Sequence, residues 1–176
     1  MSPSTPAALA VSRAVLRVLI MLNLLLGAGV MALMAGSILF EDLFLRALAG
    51  RAAAAADIAG LIGAMRMIMI VGIAALPLTH IVLRRLLAIV ETVRLGDPFT
   101  ARNAARLQTI AWALLALQLL HFAVGGIVAR ASQWVTGLDI DGRISVTGWL
   151  AVLLLFVLAR VFRHGTRMRE ELEATV

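Results

Sequence analysis

The sequence predicts an all-α integral membrane protein, a bundle of four transmembrane helices in which the second and fourth extend into the cytoplasm. Three observations predict it. Of 176 residues, 62% are apolar and only 15% charged, and mean hydropathy is +1.00. A soluble domain averages about 45–50% apolar and about 25% charged, so one globular core would not hide this surface. The apolar residues also gather into four long runs, and the arginines fall unevenly among the segments that join them. With no cysteine in the chain, neither a disulfide framework nor a thiolate metal site is available.

The first run, Val18 to Phe40, carries no charge and at helical rise covers about 34 Å, enough for a hydrocarbon core of about 30 Å. The second, Ile58 to Leu83, is interrupted only by Arg66. Leu107 to Ala129 is the third, and Ile144 to Ala159 the fourth and shortest, with Arg160 placed to snorkel toward headgroups. Inside lipid every backbone polar group must be paired within its own segment, so runs of this length are helices. Pro77 has no N–H and should kink the second span. Arg13 and Arg17 followed by apolar residues imitate a signal peptide, but the run is too long for a secretory h-region. It reads as a first transmembrane helix that doubles as an insertion signal. The whole chain, 1–176, is then one membrane domain.

Orientation follows from the arginines. Arg13 and Arg17 precede the first span, five lie in the connection between the second and third (Arg84, Arg85, Arg94, Arg102, Arg106), and four follow the fourth (Arg160, Arg163, Arg167, Arg169). Arg46, Arg51, Arg66, Arg130 and Arg143 fall on the other side. Both termini, the 84–106 hairpin and the 160–176 tail are therefore expected in the cytoplasm, in a bacterial inner membrane. The net charge of +6 is mostly topology, and no direct nucleic-acid binding is expected, because no recognition motif accompanies the charge. Trp112, Trp134 and Trp149 fall near expected interfaces, where indoles settle.

The outer segment Glu41 to Asp57 reads as helix. Two carboxylates sit at its start, where they suit the dipole, and alanines crowd its end. The second outer segment, Gln133 to Val146, holds an Asp141-Gly142 step between β-branched residues, a hairpin-turn pattern. On the inner side Leu86, Leu87, Ile89, Val90 and Val93 carry the second helix past the bilayer to Gly96, a natural C′ residue. Asp97-Pro98-Phe99 turns the chain, and Thr100 is placed to cap the third helix. Beyond the fourth span, Val161, Met168 and Leu172 share one helical face.

The stretch Leu95-Gly96-Asp97-Pro98-Phe99, followed by Asn103 and Leu107, and the element Val161-Phe162-Arg163-x-Gly165 running to Glu170-Glu171-Leu172-Glu173-x-Thr175-Val176 together resemble the bacterial membrane family known as domain of unknown function 2975. The resemblance runs from about Ile58 to the C-terminus and is faint in the first helix. It implies no activity. Members are often encoded beside small helix-turn-helix regulators of the Cro/C1 type, which implies a regulatory partner.

Ionisable residues inside a span are functional candidates by default, and here they are His80 and His121. His80 lies one turn from Arg84, about 6 Å inside the boundary, and His121 lies 15 residues past Arg106, about 22 Å in. Rings at such different depths do not share an ion through bonds of about 2 Å. Hydrogen bonds between helices explain them better, with Gln118 a local neighbour of His121 and Asn23 an interhelical candidate. Asp139-x-Asp141-Gly142 resembles the start of a calcium loop but lacks the later ligands. Arg66 either pairs with Asp57 or snorkels. Ala28, Ala32 and Gly36 put small residues on one face of the first helix, open to close approach within the bundle or across a homo-oligomer.

No nucleophile–base pair, phosphate loop or zinc spacing occurs, so neither an enzyme nor a cofactor is expected. Three readings remain. The first is a membrane-embedded regulator or sensor that docks a cytoplasmic partner through Gly96, Pro98, Phe99 and Asn103 of the hairpin and Arg167, Glu171, Leu172, Glu173, Thr175 and Val176 of the tail. The alternatives are a small oligomeric transporter or channel lined by His80, Asn23 and Gln118, and an accessory or scaffold subunit of a larger complex. The first is favoured, mainly on the resemblance. The tail also crowds acids at a helix C-terminus, with Arg167/Glu171 and Arg169/Glu173 in the weaker order, so it should be marginal until something covers it.

Overall fold

A computed structural model describes residues 5–48, 55–95, 100–132 and 146–173. These form five helices: α1 (Thr5–Leu39), α2 (Glu41–Leu48), α3 (Ala55–Arg94), α4 (Ala101–Ala131) and α5 (Val146–Glu173). All but α2 are long and apolar enough to cross a membrane. Each of the four runs on past the apolar stretch that predicts it. α1 begins 13 residues before Val18, and α3 carries the second span without interruption to Arg94, through Pro77. Of the helix expected over Glu41 to Asp57, Glu41–Leu48 forms α2, with Glu41 and Asp42 in the first turn and Arg46 in the last; residues 49–54 lie outside the described residues and Ala55 to Asp57 open α3. The expected 133–146 hairpin lies almost wholly outside the described residues, as do Trp134, Asp139 and Asp141.

The chain divides into two compact units. The first gathers the N-terminal part of α1 (to Asn23), the end of α3 from Leu78, the start of α4 to Leu117 and all of α5. Its core lies on one stripe of α4, where Asn103, Ala104, Leu107, Ile110 and Ala111 recur at helical spacing and are all buried. Val152 and Ala159 of α5 are buried in the same unit, and the Trp112 and Phe156 rings meet edge to face with centroids 5.1 Å apart. The small residues in this stripe let helix backbones come close, the packing that serves where lipid removes the hydrophobic drive between helices.

The second unit holds the remainder of α1, α2, the first part of α3 to Pro77, and the end of α4 from Gln118. Here the close approach on α1 falls at Gly27, where an added Cβ would meet Leu76 Cδ1 at 3.0 Å. It does not fall on the neighbouring face of Ala28, Ala32 and Gly36. Ala28 and Ala32 are exposed, and a Cβ at Gly36 would meet nothing within 4 Å. Large apolar side chains lie open in both units, among them Leu25 at 70% and Leu154 at 65% exposure. Lipid is the environment in which that surface is stable.

Candidate functional site

The site built most specifically from side chains is the hairpin end of the first unit, where α3 finishes and α4 begins. Thr100 caps α4 as its sequence position predicts: the Asn103 N–H donates to Thr100 Oγ1 at 3.2 Å and to the Thr100 carbonyl at 3.0 Å. That cap turns the Asn103 side chain inward, where it is 0% exposed. Its amide NH2 donates to Thr92 Oγ1 at 2.8 Å. The Thr92 hydroxyl has one proton and gives it to the Ile89 carbonyl at 2.7 Å, so Thr92 Oγ1 is the acceptor toward Asn103. The amide oxygen of Asn103, Oδ1, accepts from Arg106 at 2.9 Å, and the same guanidinium nitrogen reaches the Ala88 carbonyl at 3.0 Å. Thr92, Asn103, Arg106 and the Ala88 carbonyl are thus clasped across the turn, every polar atom of the buried amide is used, and the guanidinium bonds carry charge assistance.

This placement revises the expected role of Asn103. A side chain with no exposed surface does not meet a partner; it fixes the angle between α3 and α4. Sequence reading singled out Asn103 but missed Thr92 and Arg106, which are ordinary residues until the turn brings Thr92 to Asn103 across 11 residues and Arg106 to the Ala88 carbonyl across 18.

The apolar residues of α3 beyond the span find partial cover within the chain. Leu86, Leu87, Ile89 and Val90 are half-buried, and the N-terminal extension of α1 supplies a wall. Leu9, Ala10, Arg13 and Arg17 face Val90, Glu91 and Arg94 across a cavity of about 390 Å³, and Arg13 Nε stands 3.6 Å from Glu91 Oε1. Both partners of that pair are partly exposed, so it contributes about 0–1 kcal/mol. On the other side of α4, the Arg163 guanidinium of α5 donates to Gln108 Oε1, and Thr166 is buried with its hydroxyl on the Phe162 carbonyl. The opposite face of α5 stays open: Val161 is 60% and Met168 55% exposed.

The other candidates are placed as follows. Arg167 is exposed near the end of α5, and Glu171, Leu172 and Glu173 fall within its last turn. Gly96, Pro98, Phe99, Thr175 and Val176 lie outside the described residues. His80 belongs to the first unit, where Arg84 Nε donates to its Nε2 at 3.2 Å. Gln118 and an exposed His121 belong to the second, and Asn23 ends the α1 portion of the first. None of these four lines the cavity beside Arg13.

In the second unit the Asp57 side chain lies outside the described residues, and Arg66 reaches back to the end of α1. Its Nη2 donates to the Ser37 carbonyl at 2.5 Å and stands 3.5 Å from Glu41 Oε2. Ser37, 1% exposed, belongs to the last turn of α1, whose carbonyls have no partners further along the helix. The guanidinium therefore satisfies a helix end and meets its negative pole. Sequence reading offered snorkelling or Asp57 and had no signal for a contact 29 residues away.

Four long apolar helices, exposed leucines along them, and polar side chains concentrated at helix ends define a multi-pass membrane protein. Residues 46–176 match the family model described as "Protein of unknown function (DUF2975)", and the chain belongs to that family. No curated protein and no solved structure matches it.

Proposed function

We propose that the chain is a membrane-embedded regulatory or sensor protein of the bacterial inner (cytoplasmic) membrane. In this reading both termini and the 84–106 hairpin lie in the cytoplasm, and the protein docks a cytoplasmic protein through α5 beyond its span. The supporting observation is Met168. It lies eight residues past Arg160, the first charge after the apolar run of α5, which is about 12 Å further along the helix. The uncharged run of α5 ends well before it, yet it is 55% exposed, and it lies two helical turns from Val161, itself 60% exposed. Buried Thr166 and the Arg163–Gln108 bond hold that face in place, so the extension presents an apolar stripe on a positioned helix. The partner that the family resemblance implies is a small helix-turn-helix regulator.

Deleting 167–176 tests the reading. Affinity purification in mild detergent, with mass spectrometry of what co-purifies, should recover a partner with the full chain and lose it with the truncated one at unchanged melting temperature. A lower melting temperature with the partner retained would make the tail a structural strap and end the docking role.

A further inference from the structure

Arg160, Arg163, His164 and Arg167 stand at offsets 0, 3, 4 and 7 along α5, which puts all four on one helical face. That face opens on a cleft of about 630 Å³ whose far wall is the first turns of α4, at Ala101 and Ala105. Alanines there leave the cleft wide and bring no charge. Among the described residues its lining holds three arginines, a histidine and no carboxylate, and no ion pair engages Arg160, Arg163 or Arg167. A second cavity, of about 280 Å³, shares Arg160 and Arg163 and passes along Gln108, Phe156 and Val157 into the apolar part of α5. A basic cleft therefore runs into an apolar groove, and the junction is Arg160, the residue at which the α5 apolar run ends.

We propose that this cleft binds an anionic phospholipid, its phosphate headgroup among Arg160, Arg163 and Arg167 and an acyl chain along Phe156 and Val157. Guanidinium forks match phosphate oxygens bidentately, and basic pockets between transmembrane helices at the headgroup level take anionic lipid. A free phosphate would use the arginines alone. The adjoining apolar groove, and the position of the cleft where headgroups lie, fit a lipid better. The proposal rests on the membrane class of the chain and not on the docking of a protein.

The test is native mass spectrometry of the purified full-length chain, delipidated in neutral detergent with no partner present. The chain is titrated with dioleoyl phosphatidylglycerol and separately with dioleoyl phosphatidylcholine. Wild type should prefer phosphatidylglycerol. The double variant Arg160→Gln/Arg167→Gln should weaken phosphatidylglycerol about tenfold and leave phosphatidylcholine unchanged. Arg85→Gln/Arg102→Gln, which removes the same charge outside the cleft, should change binding by no more than about twofold. Ala105→Leu fills the cleft without altering charge and should also weaken phosphatidylglycerol. Equal losses in the two double variants, no lipid preference in wild type, or no effect of Ala105→Leu would each overturn the site. Displacement of phosphatidylglycerol by inorganic phosphate at matched ionic strength would overturn the lipid as its ligand.

Discussion

Asn103 and Thr92 meet across the α3–α4 turn with the amide nitrogen 2.8 Å from the hydroxyl oxygen, and Asn103 itself has no exposed surface. Because Asn103 also receives Arg106, its removal strands two polar groups at once. Asn103→Ala should lower stability by about 1–3 kcal/mol, and Thr92→Val by less, since Arg106 then keeps both its acceptors. The double variant should cost less than the sum of the single changes. Melting in detergent, followed by tryptophan fluorescence, checks all three; additive losses would show that the two side chains act separately.

Arg66 carries two contacts of unequal worth. Glu41 is 55% exposed at its side chain, so Glu41→Gln should cost well under about 1 kcal/mol. Arg66→Met should cost more, about 1–2 kcal/mol, because it leaves the Ser37 carbonyl and the α1 terminus without their donor. Equal effects would mean that the ion pair, not the helix end, is what the arginine serves.

Gly27 and Gly36 are a second matched pair. The atoms nearest a Cβ at Gly27 belong to the Leu76 side chain, its Cδ1 first, so Gly27→Ala should fall within about 1 kcal/mol of wild type, helix propensity offsetting the crowding. Gly27→Leu should lose about 1–3 kcal/mol to overpacking. Gly36 has open space around it in the chain. Gly36→Leu should therefore leave the monomer unchanged, and a shift in oligomeric state, read by light scattering in detergent, would have to come from a second copy closing on Ala28, Ala32 and Gly36.

The proposed orientation is open to direct labelling, since the chain has no native cysteine. Single cysteines at Ser4, Thr100 and Thr175 should resist a membrane-impermeant thiol reagent in intact cells, and one at Ser132 should react. Labelling of the Thr100 position from outside would reverse the topology and remove the docking surface from the cytoplasm.

The histidines give a negative expectation. From their depths, the His80 and His121 Cβ atoms should be well over about 10 Å apart, and zinc titrated into the purified protein should not bind with affinity that needs both. Loss of zinc binding in His80→Ala and His121→Ala alike would refute it.

What the sequence determined by itself is what composition and period control. The number of spans, their order, the start of a helix at Glu41, the Thr100 cap and the run of α3 and α5 beyond the apolar stretches were all legible there. Each follows from a local rule: lipid requires long uncharged helices, a carboxylate favours a helix start, and a threonine hydroxyl satisfies an N-terminal N–H. The spacing of Arg160, Arg163, His164 and Arg167 was legible too, but only as a face. The tertiary structure alone decided what each polar group meets. Asn103 found Thr92 and Arg106, Arg66 found the end of α1, and close packing on α1 fell at Gly27 in place of the small-residue face beside it. Apart from Asn103 and Arg106, neighbours on α4, these contacts join positions 11 to 49 residues apart. Helical spacing fixes which side of a helix a residue occupies; only packing fixes which helix stands opposite.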